Sequence, residues 1–324
     1  MKVLVTGGAG FIGSHVCDRL LGLGAEAHAL DNLRLGRIAN IEHVLATPGF
    51  RFVTADLLEK NAVRGLFDTE RYDVVFHLAA NSDIQRSTEE TDLDLRLNLM
   101  TTQNVLDCAR LAGTREIVFA SSSTVYGLRE KPMAEDSGPL LPVSLYGAGK
   151  LAAEAFLGAF AALFDMKVWI FRLPNVVGSR MTHGALHDFI RRLRHDPSRL
   201  VVLGDGSQRK PYVLVEEVID AMLLAWERLR ERVNCFNIGV ESATSVRDIA
   251  QIVIEELGLG NIPVEYTGGA SGWAGDVPRF EYDLTRIHRL GWRARHSSDE
   301  AVRLAARSQI EFTRASAPRR EASS

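Results

Sequence analysis

The chain has 324 residues, with 38 Lys and Arg against 41 Asp and Glu, which gives a formal net charge of −3 at pH 7. Apolar residues make up 46% and charged residues 24%, as in soluble globular proteins, and the near-neutral charge excludes a general nucleic-acid coat or a polybasic membrane binder. Three scattered cysteines are too few for a disulfide framework or a zinc cluster. They fit a reduced compartment, and without a signal-peptide pattern we expect a cytoplasmic protein.

Short runs of β-branched and other apolar residues alternate with helical patterns through the first half of the chain. The runs lie at 2–5, 25–30, 51–55, 73–78, 116–120 and 167–172. Stretches with helical spacing, such as 95–111 and 145–163, lie between most of them. Near-continuous apolar strands that alternate with helices are typical of a parallel sheet covered on both faces. We therefore predict an α/β fold of Rossmann type, with a doubly wound parallel sheet.

The pattern loosens after residue 174, where segments become shorter and Gly and Pro interrupt them more often. We predict a Rossmann domain over residues 1–174, with later segments at about 211–240 returning to its sheet. Residues 175–312 are expected to form a smaller α/β lobe. Residues 313–324 are small and polar, and we expect a disordered tail there.

A glycine-rich turn directly follows the first predicted strand. Gly7, Gly10 and Gly13 stand three residues apart and precede an amphipathic helix. Glycines at such positions allow a tight turn and close approach of the backbone to a pyrophosphate. The N-terminus of the helix then presents free N–H groups and a positive dipole to the phosphates. The turn predicts a dinucleotide site.

Three further strand ends support this interpretation. Asp31 ends the second strand about twenty residues past the glycines, where a carboxylate binds the adenosine ribose hydroxyls. Such a carboxylate repels a 2′-phosphate, so NAD is favoured over NADP, although Arg34 and Arg37 weaken this preference. Asp56 closes the third strand and the small residues of 78–80 close the fourth. All of these ends line one crevice at the carboxyl edge of a parallel sheet.

A second group of residues that could take part in catalysis follows the fifth predicted strand. That strand ends in serines at 121–123, and Tyr146 and Lys150 lie four residues apart at the start of a helix, on one face. An ammonium about 4 Å from a phenol contributes roughly 4 kcal/mol at an effective dielectric of 20, or about three pKa units. We therefore expect Tyr146 to titrate near neutrality, where a general base works best. A Tyr-x-x-x-Lys pair alone is more often a surface feature, but its place after a dinucleotide crevice favours a catalytic pair.

With these residues the chain resembles the extended short-chain dehydrogenase/reductase superfamily over nearly its whole length. Within that superfamily it is most similar to the nucleotide-sugar enzymes, in particular the UDP-glucose (UDP-galactose) 4-epimerases. The motifs that carry the resemblance are TGGAGFIGSH, DNL at 31–33, HLAAN, SSSTVYG, YGAGK and RLPNVVG, followed by LGDGSQRKPYVLVEEV and GWAGDV.

The resemblance implies NAD as cofactor, a UDP-sugar as substrate, no metal, and a role for each matching residue. The expected catalytic residues are Ser122, Tyr146 and Lys150. The residues expected to bind NAD are Gly7, Gly10, Phe11, Ile12, Gly13, Asp31, Asn32, Asp56, Leu57, Leu78, Ala79, Ala80, Asn98, Tyr146 and Lys150. The residues expected to contact the substrate are Ser122, Asn175, Arg180, Arg209, Lys210 and Phe280, the last as a gate that disfavours 2-acetamido sugars.

The chain departs from the family pattern at the substrate diphosphate. The family often reads Arg-Asp-Phe after its Gly-Asp-Gly turn, whereas Lys, Pro and Tyr stand here at 210–212. A lysine keeps the charge but loses the bidentate geometry of arginine. Trp273 stands where a second arginine is usual. The role is then expected to pass to Arg180, Arg209 or Arg279.

The implied reaction is inversion at C4 of a UDP-hexose through a transient 4-keto intermediate, with tightly bound NAD. Thr124 stands where sugar 4,6-dehydratases and uronate decarboxylases place a glutamate, which argues against dehydration. A UDP-glucuronate 4-epimerase and a nucleotide-sugar 4-ketoreductase or dehydrogenase stay open as alternatives. The family pairs the helices equivalent to 95–111 and 145–163 in a four-helix bundle, so we expect a homodimer, although core packing would also explain their apolar faces.

Overall fold

The computed structural model describes residues 1–84, 86–129, 132–269, 277 and 279–315. The strands are β1 (Lys2–Thr6), β2 (Glu26–Asp31), β3 (Phe50–Thr54), β4 (Val74–His77), β5 (Glu116–Ser122), β6 (Lys167–Leu173), β7 (Asn175–Val177), β8 (Leu200–Val202), β9 (Arg209–Lys210), β10 (Tyr212–Leu214), β11 (Val233–Asn237), β12 (Thr244–Ser245) and β13 (Val264–Tyr266). The α-helices are α1 (Phe11–Gly22), α2 (Lys60–Thr69), α3 (Thr101–Ala112), α4 (Leu145–Phe164), α5 (Ala185–His195), α6 (Val215–Arg228), α7 (Val246–Leu257), α8 (Thr285–Arg289) and α9 (Ser298–Ala315).

Seven of the strands form one parallel sheet in the order β11-β6-β5-β4-β1-β2-β3. The chain runs outward from β1 to β3 and then crosses back to β4, so the order reverses between β1 and β4. In an open parallel sheet, ligands bind at the carboxyl ends of the strands next to such a reversal. The predicted Rossmann-type α/β fold is confirmed.

Helices cover both faces of this sheet, which is why its strands are apolar on both sides. On one face, α1 and α6 contribute Val16, Leu20, Val218, Met222 and Trp226 to the core. On the other face, α2, α3 and α4 contribute Val63, Phe67, Val105, Leu106 and Leu157. The two cores hold the carboxyl edge of the sheet in a fixed geometry.

The later part of the chain divides between the sheet and a separate core. α6 and β11 return to the main sheet, where β11 pairs with β6. α5, α7 and α9 enclose a third core with β8 and β10, formed by residues such as Leu193, Leu200, Ile249, Val253 and Val302. The division into a cofactor domain and a substrate lobe stays a prediction.

Two elements differ in detail from the sequence-based expectations. α9 continues to Ala315, so the first three residues of the expected tail are helical, and residues 316–324 lie outside the described part. α4 is long and apolar enough to span a membrane, with 39% of its most apolar window buried. Length and apolar composition alone are weak evidence for a membrane span, because core helices of soluble proteins share both properties.

Candidate active site

The glycine turn between β1 and α1 is packed so closely that side chains are excluded from it. Gly7 has a φ of +70°. A Cβ on Gly13 would lie 2.0 Å from the Gly7 carbonyl oxygen, and a Cβ on Gly7 would lie 2.8 Å from the Ala79 nitrogen. Gly10 precedes α1 and offers no side-chain cap, so the N–H groups of the first turn, from Phe11 onward, are available to an anion. The turn fits a dinucleotide pyrophosphate.

Polar side chains at the ends of β2 and β3 lie beside this turn. Asp31 is buried, and its carboxylate accepts hydrogen bonds from the Ala9 nitrogen at 3.1 Å and the Leu33 nitrogen at 2.8 Å. Burial raises the pKa of Asp31, and these backbone N–H groups lower it. Asn32 Nδ2 donates to Asp56 Oδ2 at 3.0 Å. The three residues expected to hold the adenosine are therefore neighbours.

A chain of hydrogen bonds links the end of β1 to the segment before α3. The Thr6 hydroxyl accepts from the backbone N–H groups of 78 and 79 at 3.2 and 3.3 Å. Its own hydrogen is then left for His77 Nδ1, at 2.7 Å. His77 Nε2 therefore carries the ring hydrogen and donates it to Thr102 Oγ1 at 2.9 Å. Thr102 donates in turn to the Asn98 carbonyl at 2.5 Å. These hydrogen bonds hold the end of β4 against α3, in the wall of the crevice.

Asn98 lies in a π-helical turn over Leu95–Met100 that directly precedes α3. Its Oδ1 accepts from the Asn81 nitrogen and its Nδ2 donates to Asp94 Oδ1, both at 2.8 Å. Asn98 therefore ties the loop after β4 to the π-helical turn. Sequence reasoning gave no role to Asn81, which ends the HLAAN motif, or to Asp94, because a polar residue carries no local signal of burial.

The three predicted catalytic residues come together where β5 meets α4. Ser122 ends β5, and its hydroxyl lies close enough to the phenol of Tyr146 to lower the pKa of that phenol. Lys150 is buried, and its Nζ donates to the Ala120 carbonyl at 2.7 Å. The same Nζ lies 5.9 Å from the centroid of the Tyr146 ring. A base, a hydroxyl donor and a cation thus share one end of the sheet.

Local features place the first turn of α4 against β5. Ser144 caps the helix, since its hydroxyl accepts from the Gly147 nitrogen at 3.1 Å. A Cβ on Gly147 would lie 2.7 Å from the Thr124 carbonyl oxygen. The missing side chain lets α4 approach the turn after β5 closely enough for its phenol to reach Ser122.

Of the three consecutive serines, Ser122 is the one whose side chain meets the catalytic phenol. Ser121 donates to Glu154 Oε1 at 2.5 Å, in the core. Ser123 forms a hydrogen bond with the phenol of Tyr282. Alternation of side chains along the strand sends neighbouring residues to opposite faces.

The expectation of a Tyr146 phenol that titrates near neutrality is wrong for the polypeptide's own groups. Burial raises the pKa of Tyr146 to about 12; the hydrogen bond with Ser122 lowers it and the charge of Asp94 raises it. Burial also lowers the pKa of Lys150 to about 8, against the charges of Asp94 and Glu154. Burial is the main cause of both shifts, and the Lys150 ammonium bonds the Ala120 carbonyl.

The residues expected to contact the substrate lie on several separate elements and are more widely spaced than Ser122, Tyr146 and Lys150. Asn175 begins β7, and its Nδ2 lies 3.4 Å from the Pro211 carbonyl. Arg209 and Lys210 form β9, where Arg209 Nε donates to the Ala243 carbonyl at 2.9 Å. Trp273 lies outside the described residues. Arg279 pairs with Arg209 in a short β-bridge.

Two of the substrate candidates have partners that sequence reasoning did not foresee. Arg180 forms an ion pair with Asp18 on α1, with 2.7 Å between Nη1 and Oδ2. Phe280 is buried in a small core with Val125, Tyr126 and Met133. Both positions depend on contacts between segments far apart in the chain.

We find no group of three or more His, Cys, Asp or Glu side chains that could hold a metal ion in the part of the chain that the structure describes. His183 and His187 stand four residues apart, but each has another partner. His187 Nδ1 lies 3.2 Å from the Gln309 amide, and His183 Nδ1 forms a hydrogen bond with Thr182.

The chain is similar to known proteins over nearly its full length. Residues 3–239 match the NAD dependent epimerase/dehydratase family. The UDP-glucose 4-epimerase of Mycolicibacterium smegmatis is 32% identical over 308 residues, which cover 93% of this chain and 96% of the relative. A crystal structure of a UDP-galactose 4-epimerase is 39% identical, with a TM-score of 0.84 and coverage of 95% and 98%. The Thermus thermophilus UDP-glucose 4-epimerase in complex with NAD is 32% identical, with a TM-score of 0.85 and coverage of 98% and 100%.

Proposed function

The chain belongs to the NAD-dependent epimerase/dehydratase family, and from this premise we propose that it is a UDP-glucose 4-epimerase that interconverts UDP-glucose and UDP-galactose. One observation carries the proposal: Ser122 and Tyr146, with Lys150 buried beside the phenol ring, come together at the carboxyl edge of a sheet that also has a glycine turn suited to a nucleotide. Thr124 supports epimerisation over dehydration, because it offers no carboxylate at the position where the dehydratases place one.

Ser122, Tyr146 and Lys150 have different roles at O4 of the sugar. Ser122 Oγ holds O4 in line with the phenol, and Tyr146 Oη removes the O4 proton as C4 is oxidised. Lys150 Nζ places a positive charge beside the phenolate that forms. When bound in the glycine turn, NAD⁺ would supply the hydride acceptor and donor for C4, on either face of the sugar, and a positive charge near the phenol. Tyr146 then gives the proton back to O4, so the reaction has no net redox change.

NAD is held, in this proposal, by the glycine turn and by the strand ends on both sides of it. The backbone at Gly7, Gly10, Phe11, Ile12 and Gly13 binds the pyrophosphate, where any added Cβ at Gly7 or Gly13 would clash. Asp31, Asn32, Asp56 and Leu57 bind the adenosine. The wall of the crevice consists of Leu78, Ala79, Ala80 and Asn98.

We assign the cofactor to the Rossmann domain over residues 1–174 and the nucleotide of the substrate to the smaller lobe. Our candidates for the diphosphate are Asn175, at the start of that lobe, and Arg209 and Lys210 on β9. Arg180 is a weaker candidate because Asp18 already neutralises it. Phe280 would shape the sugar site through the small core in which it packs. The unpaired cysteines, two of them buried, support a reducing, cytoplasmic compartment.

We further propose that two copies of the chain pair through α4 and its neighbour α3 in a four-helix bundle. The exposed face of α4 is entirely apolar and consists of Leu145, Ala148, Ala155, Phe156, Ala159, Ala162 and Leu163. The charged residues of the helix, Lys150 and Glu154, point inward. A continuous apolar face on one helix is suited to a two-fold interface, in which the same surface is used twice.

An NMR time course of the purified protein with UDP-galactose and no added cofactor tests the reaction. We expect UDP-glucose to appear until the mixture reaches equilibrium. Tyr146→Phe should lower kcat by about 10²–10⁴-fold, because it removes the general base. Tyr266→Phe, a change at a partly exposed tyrosine on β13, is the matched control and should keep full activity.

Other outcomes of this experiment separate the alternatives. Conversion of UDP-glucuronate but not UDP-galactose would indicate a UDP-glucuronate 4-epimerase. A requirement for added NADH and a 4-keto sugar would indicate a reductase. No conversion of UDP-galactose, even with added NAD⁺, contradicts the proposal.

Light scattering coupled to size-exclusion chromatography tests the dimer. Phe156→Glu places a charge in the centre of the proposed interface and should yield monomers. Leu304→Glu, at an exposed leucine on α9, should leave the mass unchanged. A wild-type protein with the mass of one chain would contradict the dimer.

A further inference from the structure

A buried aspartate lies against the catalytic helix next to Lys150. Asp94 directly precedes the π-helical turn, and its side chain is 1% exposed. A Cβ on Gly149 would lie 3.1 Å from the Asp94 carbonyl oxygen and 3.3 Å from its Cβ. The π-helical turn and α4 are therefore in direct contact at the residue that precedes the catalytic lysine.

The hydrogen bonds of Asp94 use one carboxylate oxygen and leave the other without a partner. Oδ1 accepts from Asn81 Nδ2 at 3.0 Å and from Asn98 Nδ2 at 2.8 Å. Oδ2 is buried and has no hydrogen-bond partner within the described residues. Two N–H donors on one oxygen hold the carboxylate in one orientation. A buried charge of this kind is costly unless it acts on a nearby group of opposite sign.

The other ionisable groups around Lys150 leave Asp94 as the negative charge that is not already neutralised. Glu154, on the same helix, is paired with Arg172 on β6 at 2.7 Å. Burial and the charge of Lys150 lower the pKa of His77 on β4 to about 3, so that His77 is neutral. The charges of Asp94 and Glu154 oppose the effect of burial on the pKa of Lys150, and Asp94 contributes more.

We propose that Asp94 is a positioning residue of the catalytic site, whose buried carboxylate holds the Lys150 ammonium ionised beside Tyr146. This inference rests on the proposed function for its effect on catalysis, but not for its effect on the lysine. Asn81 and Asn98 act with it, because their amides orient the carboxylate. The loop after β4, the π-helical turn and α4 are thereby coupled into one electrostatic unit.

The charge state of Lys150 can be measured without substrate. The chain has six lysines, so ¹³Cε-lysine labelling gives few signals, and the Lys150→Met spectrum identifies the one that belongs to residue 150. We expect Lys150 to titrate at about pH 8 in the wild type. In Asp94→Asn, which keeps an oxygen to accept the two amide bonds, the midpoint should fall by at least about 0.5 pH unit.

The matched control is Asp92→Asn, which removes an exposed carboxylate two residues away that pairs with Arg96. Its Lys150 midpoint should equal that of the wild type. Asp94→Ser repeats the test with a second neutral residue should Asp94→Asn fold poorly. An unchanged midpoint in a folded Asp94 variant overturns the proposal.

The pH profile of epimerisation gives a second readout, which a purely structural role would not move. Asp94 raises the pKa of Tyr146 as well as that of Lys150. Both limbs of the kcat profile should therefore move to lower pH in Asp94→Asn. A lower kcat with both limbs unmoved overturns the proposal. If the wild type converts no UDP-sugar, the proposed function fails, while the lysine titration still decides the role of Asp94.

Discussion

Glu154 and Arg172 form a buried, bidentate ion pair one helical turn beyond Lys150. Arg172 Nη2 lies 2.7 Å from Glu154 Oε2, and Nε lies 3.1 Å from Oε1. Ser121 donates to the same carboxylate, and Arg172 Nη1 donates to the Tyr126 hydroxyl at 2.9 Å. Because Glu154 lies one helical turn after Lys150, this network sets how α4 rests on β5 and β6.

Removal of one partner of this pair should be far more harmful than removal of an exposed pair. Glu154→Gln leaves the Arg172 guanidinium buried without its counter-ion, and we expect a loss of about 3–5 kcal/mol in the free energy of unfolding. Asp68→Asn, which breaks an exposed ion pair with Arg64 on α2, should cost about 0–1 kcal/mol. Urea unfolding measures both. Equal losses in the two variants would show that the buried pair does not orient α4.

The neutral state of His77 predicts how stability changes with pH. Burial lowers the pKa of His77 to about 3 and that of His15 to about 4, so the unfolded chain binds protons that the folded chain does not. Stability is then complete above about pH 6.5, the unperturbed value, and falls on acidification by about 1.4 kcal/mol per pH unit for each histidine. His77→Gln, which can accept from Thr6 and donate to Thr102, should remove its share of this slope.

Two measurements check the His77 prediction. Urea unfolding of the wild type and of His77→Gln at several pH values gives the two slopes, and their difference is the share of His77. ¹⁵N NMR should show the hydrogen on Nε2 of His77. A ring that gains a proton near pH 6.5 in the folded protein would contradict the hydrogen-bond chain.

The sequence was sufficient to predict the sheet and the parts of the site that depend on local spacing. Gly7 and Gly10 lie in the turn before α1 and Gly13 in its first turn, and Tyr146 and Lys150 share one helix face, so short-range geometry determines where each group points. The reversal of strand order followed from the alternation of strands and helices.

The features of the site that the sequence did not predict depend on contacts between segments far apart in the chain. Asp94 meets Gly149 across 55 positions of the chain, and Arg180 meets Asp18 across more than 160, so neither partner is visible in a local pattern. The expected pKa of Tyr146 was wrong for the same reason. Spacing placed Lys150 near the phenol, but only the folded chain reveals burial and the carbonyl of Ala120 that holds the ammonium.

Two glycines of α1 provide a matched test of the cofactor cradle. A Cβ at Gly13 would lie 2.0 Å from the Gly7 carbonyl, so Gly13→Ala must displace the turn. A Cβ at Gly22 meets nothing within 4 Å. We expect Gly13→Ala to lose bound NAD, measured by absorbance after denaturation, and Gly22→Ala to keep it. Gly22→Ala should also stabilise the helix by about 0.5–1 kcal/mol. Retention of NAD by Gly13→Ala would contradict the proposed pyrophosphate site.

The three serines at the end of β5 allow catalysis and structure to be separated by single-atom changes. Ser122→Ala removes the hydroxyl that lies beside the Tyr146 phenol, and we expect kcat to fall by about 10²-fold, the cost of one donor aimed at a reacting oxygen. Ser123→Ala removes a bond to Tyr282 and should leave kcat close to that of the wild type. Steady-state rates with UDP-galactose measure both.

Ser121→Ala completes the series, because its hydroxyl is committed to Glu154 in the core. Its loss should cost about 1–3 kcal/mol of unfolding free energy through a weakened buried network, with a smaller effect on kcat than Ser122→Ala. The order of the three variants is the informative result. If Ser121→Ala or Ser123→Ala lowered kcat more than Ser122→Ala in a fully folded protein, the hydroxyl that orients O4 would have to be reassigned.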